Sequence, residues 1–164
     1  MNKPPSNLNE DARLRHEAVA LLNGRQAHMN LADAVADFPL EHINSHPPNV
    51  PYTFWHLLEH LRIAQADILD FILNPAYQSL PWPEGYWPDP EAQASAANWE
   101  QTLAAFTADQ EQLLKLAQDP EVDLLAELPL SPGYTILREI MVAADHNAYH
   151  IGELGILRQV MGLW

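Results

Sequence analysis

The sequence predicts an all-α protein: a four-helix bundle with a long first connection, folded as a single domain over residues 1–164. Three observations lead there. Apolar residues recur at helical spacing through long stretches, and prolines and glycines cut the chain into four such stretches. No segment shows sustained two-residue alternation with β-branched enrichment, so no sheet is expected. Four amphipathic helices in one chain of this length bury their apolar stripes against one another.

The first helix is expected from about Glu10 to Asn23, ending at Gly24, a residue suited to a helix C-terminal cap. A mixed connection follows, with one short helix around Leu31 to Asp37 and then the breaker SHPPNVP. The second helix opens at Thr53 as N-cap and runs to about Leu73, before Asn74-Pro75. Its residues Phe54, Leu57, Leu58, Leu61, Ala64, Ile68, Phe71 and Ile72 keep the helical period. The proline- and aromatic-rich loop LPWPEGYWPDP comes next. The third helix is expected to start with Asp89 as cap and Pro90 in its first turn, and to reach about Gln118. The fourth opens at Thr135, after Pro132-Gly133, and continues to about Met161. The long first connection can cross the bundle, so simple up-down-up-down order is not required.

Composition narrows the function. A hydrophobic fraction of 48% and a charged fraction of 18% belong to a folded chain, not a disordered one. There is no cysteine, so disulfides, thiolate metal sites and a cysteine nucleophile are excluded. Any metal is left to histidine, carboxylate or water. Eight basic residues against 22 acidic ones give a net charge of −14. That excludes the basic footprint a nucleic-acid or anionic-membrane binder needs. The opening residues MNKPPSNLNEDARLRHE do not read as a signal peptide, and no run is apolar enough to span a membrane. A soluble, cytoplasmic protein is the expectation.

Eight histidines stand out. His146 and His150, in DHNAYHIGEL, lie four apart on the fourth helix, which stacks two imidazoles one turn apart where they can chelate one ion. The same spacing recurs at His56 and His60 and at His42 and His46, so spacing alone is weak. Helix phase adds to it. The apolar face of the fourth helix centres between Ile140, Ala144, Ile151 and Leu154, with His146 and His150 on its shoulder. On the second helix the face centres near Leu57, Leu61, Ala64 and Ile68; His60 sits on its shoulder and His56 roughly 40° further out. His60 is therefore the better third ligand, and His56 is expected at the rim or facing solvent. Three imidazoles with ordinary hydrogen bonds at a bundle end remain the alternative at this point.

The stretch WHLLEHLRIAQADILDF, followed about 85 residues later by DHNAYHIGEL, resembles the DinB-like (YfiT-like) superfamily of metal-binding four-helix bundles. The likeness covers nearly the whole chain. It implies that one histidine of the second helix and two of the fourth bind a divalent ion, which here are His60, His146 and His150. It also implies chemistry like that of thiol S-transferases or amide hydrolases, acting on a small molecule or with a low-molecular-weight thiol, and a possible homodimer. Zinc, nickel or iron would suit such a donor set. Three neutral ligands leave the ion's charge uncompensated, which favours ionising a water or a thiol. A non-catalytic metal-binding or stress-associated protein is the other class to weigh.

Several neighbours carry expectations of their own. Asp145, Glu59, Asn147 and Glu153 flank the histidines and are candidate acceptors for imidazole N–H groups. Glu153 is the preferred one, as catalytic base or water-positioning group. Gly152 and Gly155 are expected to permit close helix packing. Trp82, Tyr86 and Trp87 wall a pocket or seal the end of the core, and Val160 and Trp164 are apolar surface available to a partner.

Overall fold

The computed structural model describes residues 9–164; the reading of the first eight residues as no part of a signal peptide lies outside them. Five helices form: α1 (Glu10–Asn23), α2 (Leu31–Val35), α3 (Phe54–Leu73), α4 (Ala96–Gln118) and α5 (Ile136–Met161). Each long helix starts on a side chain that accepts a free N–H of its first turn, as helix starts require. Asn9 takes Ala12 N–H, Thr53 takes His56 N–H, Ser95 takes Asn98 N–H and Thr135 takes Arg138 N–H. α1 and α5 end on Gly24 and Gly162, both at positive φ.

α3 packs on α4 and α5, and α1 packs on the same two, so α1 and α3 stand on a diagonal. The first connection therefore carries the chain from one corner of the bundle to the opposite one. It is held by α2 and by the guanidinium of Arg158, which donates to the carbonyls of Ala34, Ala36 and Leu163. Those bonds take carbonyls that a longer helix would have used. α2 consequently stops at Val35, short of the expected Asp37, which adopts a left-handed φ of 51°.

Two further expectations are corrected. α4 begins at Ala96, not beside Asp89 and Pro90. Asp89 caps a single turn, accepting Glu91 N–H on its carboxylate and Ala92 N–H on its carbonyl. The next residues are then held extended by tertiary partners, with Asn44 bonding both N–H and C=O of Ala94 and His56 bonding the Ala92 carbonyl. The second correction is a small antiparallel hairpin, β1 (Glu127–Leu128) with β2 (Ser131–Thr135), its register broken by an irregularity. A two-residue strand carries no alternation to read.

The core has two apolar parts. One gathers Phe54, Leu57, Leu58, Leu61, Trp99, Phe106, Ile151 and Leu154 with residues of the first connection. The other gathers Leu22, Leu69, Leu113, Leu124, Ile140 and Ala143. Between them on α3 and α5 lie buried Gln65 and Asn147, with Asn147 Nδ2 donating to Gln65 Oε1 at 2.8 Å and Gln65 Nε2 to the Phe106 carbonyl at 2.7 Å. Such bonds offset the cost of burying these amides. The histidines of α3 and α5 flank this polar layer.

Candidate metal centre

His60 lies two turns into α3, and His146 and His150 lie in the middle of α5, where those helices face each other. Their Nε2 atoms converge: His60 to His146 is 3.1 Å and His60 to His150 is 3.2 Å. One ligand nitrogen from each falls within 4.8 Å of the others. His60 is buried, and the two histidines of α5 are partly so.

Hydrogen bonds settle which nitrogen carries the proton in two of the three rings. His60 Nδ1–H donates to the Tyr86 carbonyl at 2.8 Å, since a carbonyl only accepts. His150 Nδ1–H donates to Glu153 Oε2 at 2.8 Å. In both neutral rings the lone pair is therefore on Nε2, aimed at the shared centre. The His60 and His150 lone pairs, meeting at 3.2 Å, repel unless a proton or cation sits beside them. A second, charging proton is disfavoured on two of the rings: burial, then repulsion from His150 and His60, lowers the His146 pKa to about 4, and burial also lowers that of His60. Nitrogens sharing one ion at the usual zinc–imidazole length of about 2.0–2.1 Å stand roughly 2.9–3.4 Å apart. The two separations from His60 thus fit ligands of one divalent ion, and the His60 and His150 tautomers turn a free Nε2 toward it.

The surroundings fix two of the three rings. The Trp87 indole stacks on His60 with centroids 4.0 Å apart and planes 2° from parallel. Tyr86 is anchored at both ends, its carbonyl on His60 and its hydroxyl on Asp67 Oδ2 at 2.8 Å. Asp67 sits two turns along α3 from His60, so the loop lies down the same face that carries the ligand. Tyr52 donates its hydroxyl to Glu153 Oε1 and packs on Trp87 with centroids 5.0 Å apart. Burial, reinforced by the Glu153 carboxylate, raises the Tyr52 pKa well above that of an ordinary phenol. His146 differs, because its Nδ1 and the neighbouring Asn147 Oδ1 are both buried without a partner.

The other candidates fall elsewhere. His56 is not at a rim: it is 2% exposed, Nε2–H donates to the Ala92 carbonyl, and Nδ1 accepts Thr53 N–H in a capping box. The angular count missed this because loop residues cover the first turn of α3, where helix phase alone does not decide burial. Glu59 points toward α4, bonded to Arg62 and the Thr102 hydroxyl, and lines a separate cleft of about 270 Å³ with Trp55 and Asn98. Asn147 serves the polar layer, and Asp145 is exposed. His28 contacts its neighbour's carbonyl, His42 contacts Ser45, and His46 packs near His56. A Cβ on Gly155 would make ordinary contact with Met29, whereas one on Gly152 would meet nothing, so close packing does not explain Gly152. Trp82 is exposed, and so are Val160 and Trp164. Tyr52 went unnoticed in the sequence; it follows three prolines and belongs to no periodic pattern.

An all-helical bundle with three inward histidines on two facing helices defines a class of candidate metal-binding proteins. A family profile described as the DinB superfamily matches residues 24–154, well over half the chain, and the protein belongs to that family. No curated protein and no solved structure matches it. Among the described residues, no helix is long and apolar enough to cross a membrane.

Proposed function

We propose that this protein is a divalent-metal-dependent enzyme of the thiol-transferase or hydrolase type. The observation that carries the reading is the meeting of three imidazole Nε2 atoms, with no fourth His, Asp or Glu in the group among the described residues. Closed structural sites use four protein ligands, whereas catalytic ones keep a position open. When bound, the ion supplies a Lewis-acidic charge that lowers the pKa of a water or thiol. Zinc, nickel and iron all suit three imidazoles.

The chain's own residues do the rest. His60, His146 and His150 hold the ion as neutral ligands. The Tyr86 carbonyl and Glu153 orient two of them, and Trp87 shields His60 from water. Glu153 is the carboxylate assigned to proton movement. A cleft of about 400 Å³ along α5, lined by Tyr149, Gly152, Glu153, Ile156 and Leu157, is where we place the apolar part of a small substrate.

The test starts with elemental analysis of untagged protein, expected to give one equivalent of metal. A His60→Ala, His146→Ala double variant is expected to lose it; stoichiometric metal in that variant overturns the site. Two assays then follow on metal-loaded and chelator-stripped protein: thiol consumption with an electrophilic aryl halide, and amine release from simple amides. Metal-dependent turnover in either supports the enzyme and selects its type. One bound equivalent with no turnover in a broad panel of both substrates favours a non-catalytic metal protein.

A further inference from the structure

Tyr52 stands just after Pro47, Pro48 and Pro51 and one residue before the Thr53 cap of α3. Its hydroxyl reaches a carboxylate 101 residues away, Glu153 Oε1. The other oxygen of that carboxylate takes the His150 Nδ1 proton, and the opposite nitrogen of His150 faces the shared centre. Its ring, partly buried, lies against Trp87, which is stacked on His60. One side chain thus reaches two ligands, His150 through a hydrogen-bonded carboxylate and His60 through stacked rings.

We propose that Tyr52 is a positioning residue of the metal centre: its hydroxyl holds the Glu153 carboxylate in the rotamer that grips His150 Nδ1–H, aiming Nε2 at the ion. This rests on the metal-binding reading above. A glutamate has three rotatable side-chain bonds, and a single acceptor contact to His150 would leave it free to swing into the cleft along α5. Anchoring one oxygen fixes where the other can lie. Partners of this outer kind typically change metal affinity about 10–100-fold when removed. Tyr52 acts at one further remove, through Glu153, so the lower end of that range is expected for its hydroxyl.

Tyr52→Phe separates the hydroxyl from the ring, because the contact with Trp87 stays. Zinc affinity is read by competition with a chromogenic chelator for wild type, Tyr52→Phe, Glu153→Gln and the double variant. Tyr52→Phe is expected to bind about 10-fold more weakly, and the double variant no more weakly than Glu153→Gln alone, because the two residues act as one unit. Cobalt-loaded Tyr52→Phe is expected to show a shifted visible spectrum, the mark of a moved ligand. In the metal-free protein, the His150 Nδ1 proton resonance is expected to be sharp in wild type and exchange-broadened in Tyr52→Phe. Wild-type affinity and an unchanged cobalt spectrum in Tyr52→Phe overturn the proposal, as do strictly additive losses in the double variant. Failure of the metal reading looks different: wild type and His146→Ala then bind zinc equally poorly.

Discussion

His146 is the proposed ligand whose environment is least forgiving. Its imidazole is held neutral by burial and by two neighbouring imidazoles, with a pKa of about 4 against an ordinary value near 6.5. Between those values the unfolded chain binds a proton that the folded chain refuses, so stability rises with pH across that window. The metal-free protein is therefore expected to lose stability as pH falls from about 6.5 toward 4, by at most about 3 kcal/mol from this residue. Thermal melts of chelator-treated protein at several pH values check this, and His146→Gln should flatten the profile. His56 makes the opposite case. Buried, with both ring nitrogens engaged by backbone, it ties the start of α3 to the segment before α4. His56→Ala is expected to cost about 2–3 kcal/mol by leaving buried groups unpaired, while the metal content stays at one equivalent. Urea titration and elemental analysis on the same sample separate the two effects. In the sequence the spacing of His56 and His60 was plain, yet their roles were not. Helix phase set His60 apart from His56, and His60 is the one that joins the cluster with His146 and His150, but the depth of His56 depends on loop residues that no periodicity encodes.

At the scale of elements, helix ends were legible wherever local chemistry and tertiary contacts agree. Gly24, Thr53 and Asn74 mark ends of α1 and α3 as their side chains and backbone preferences suggest. The start of α4 was misread because two cap signals compete. Asp89-Pro90 closes one turn, and Ser95 with Asn98 opens the helix through a reciprocal pair of bonds. Ser95→Ala is accordingly expected to destabilise the fold by about 1 kcal/mol. Asp89→Ala removes only the cap of an exposed turn and should cost less than half as much, a ranking that paired denaturation curves will read. The loop between α3 and α4 was recognisable as aromatic, and its role followed only once Tyr86 and Trp87 were seen against His60. The hairpin before α5 was invisible because its strands are too short for any pattern.

The whole molecule shows why the histidine cluster was easier to read from the sequence than the residues around it. Ligands must share helix faces, and faces leave a period in the sequence. Arg158, Gln65 and Tyr52 act across the bundle on partners chosen by the packing of distant segments, and such choices leave no local trace. The same long reach has a consequence for folding. His60 and His146 are separated by 86 residues, and their nitrogens meet only after α3 and α5 have docked. An ion held there acts as a reversible cross-link closing a long loop, and by mass action it favours the folded chain by about 2.7 kcal/mol at a free concentration 100 times its dissociation constant. The midpoint of thermal unfolding is therefore expected to climb with added zinc and to stop climbing in His60→Ala, which calorimetry over a series of ion concentrations will record. Because the clasp can close only on a nearly finished bundle, an ion arriving late in folding holds what has assembled instead of guiding its assembly. On the proposed metal-binding reading, the supply of the ion then governs how long the folded protein lasts.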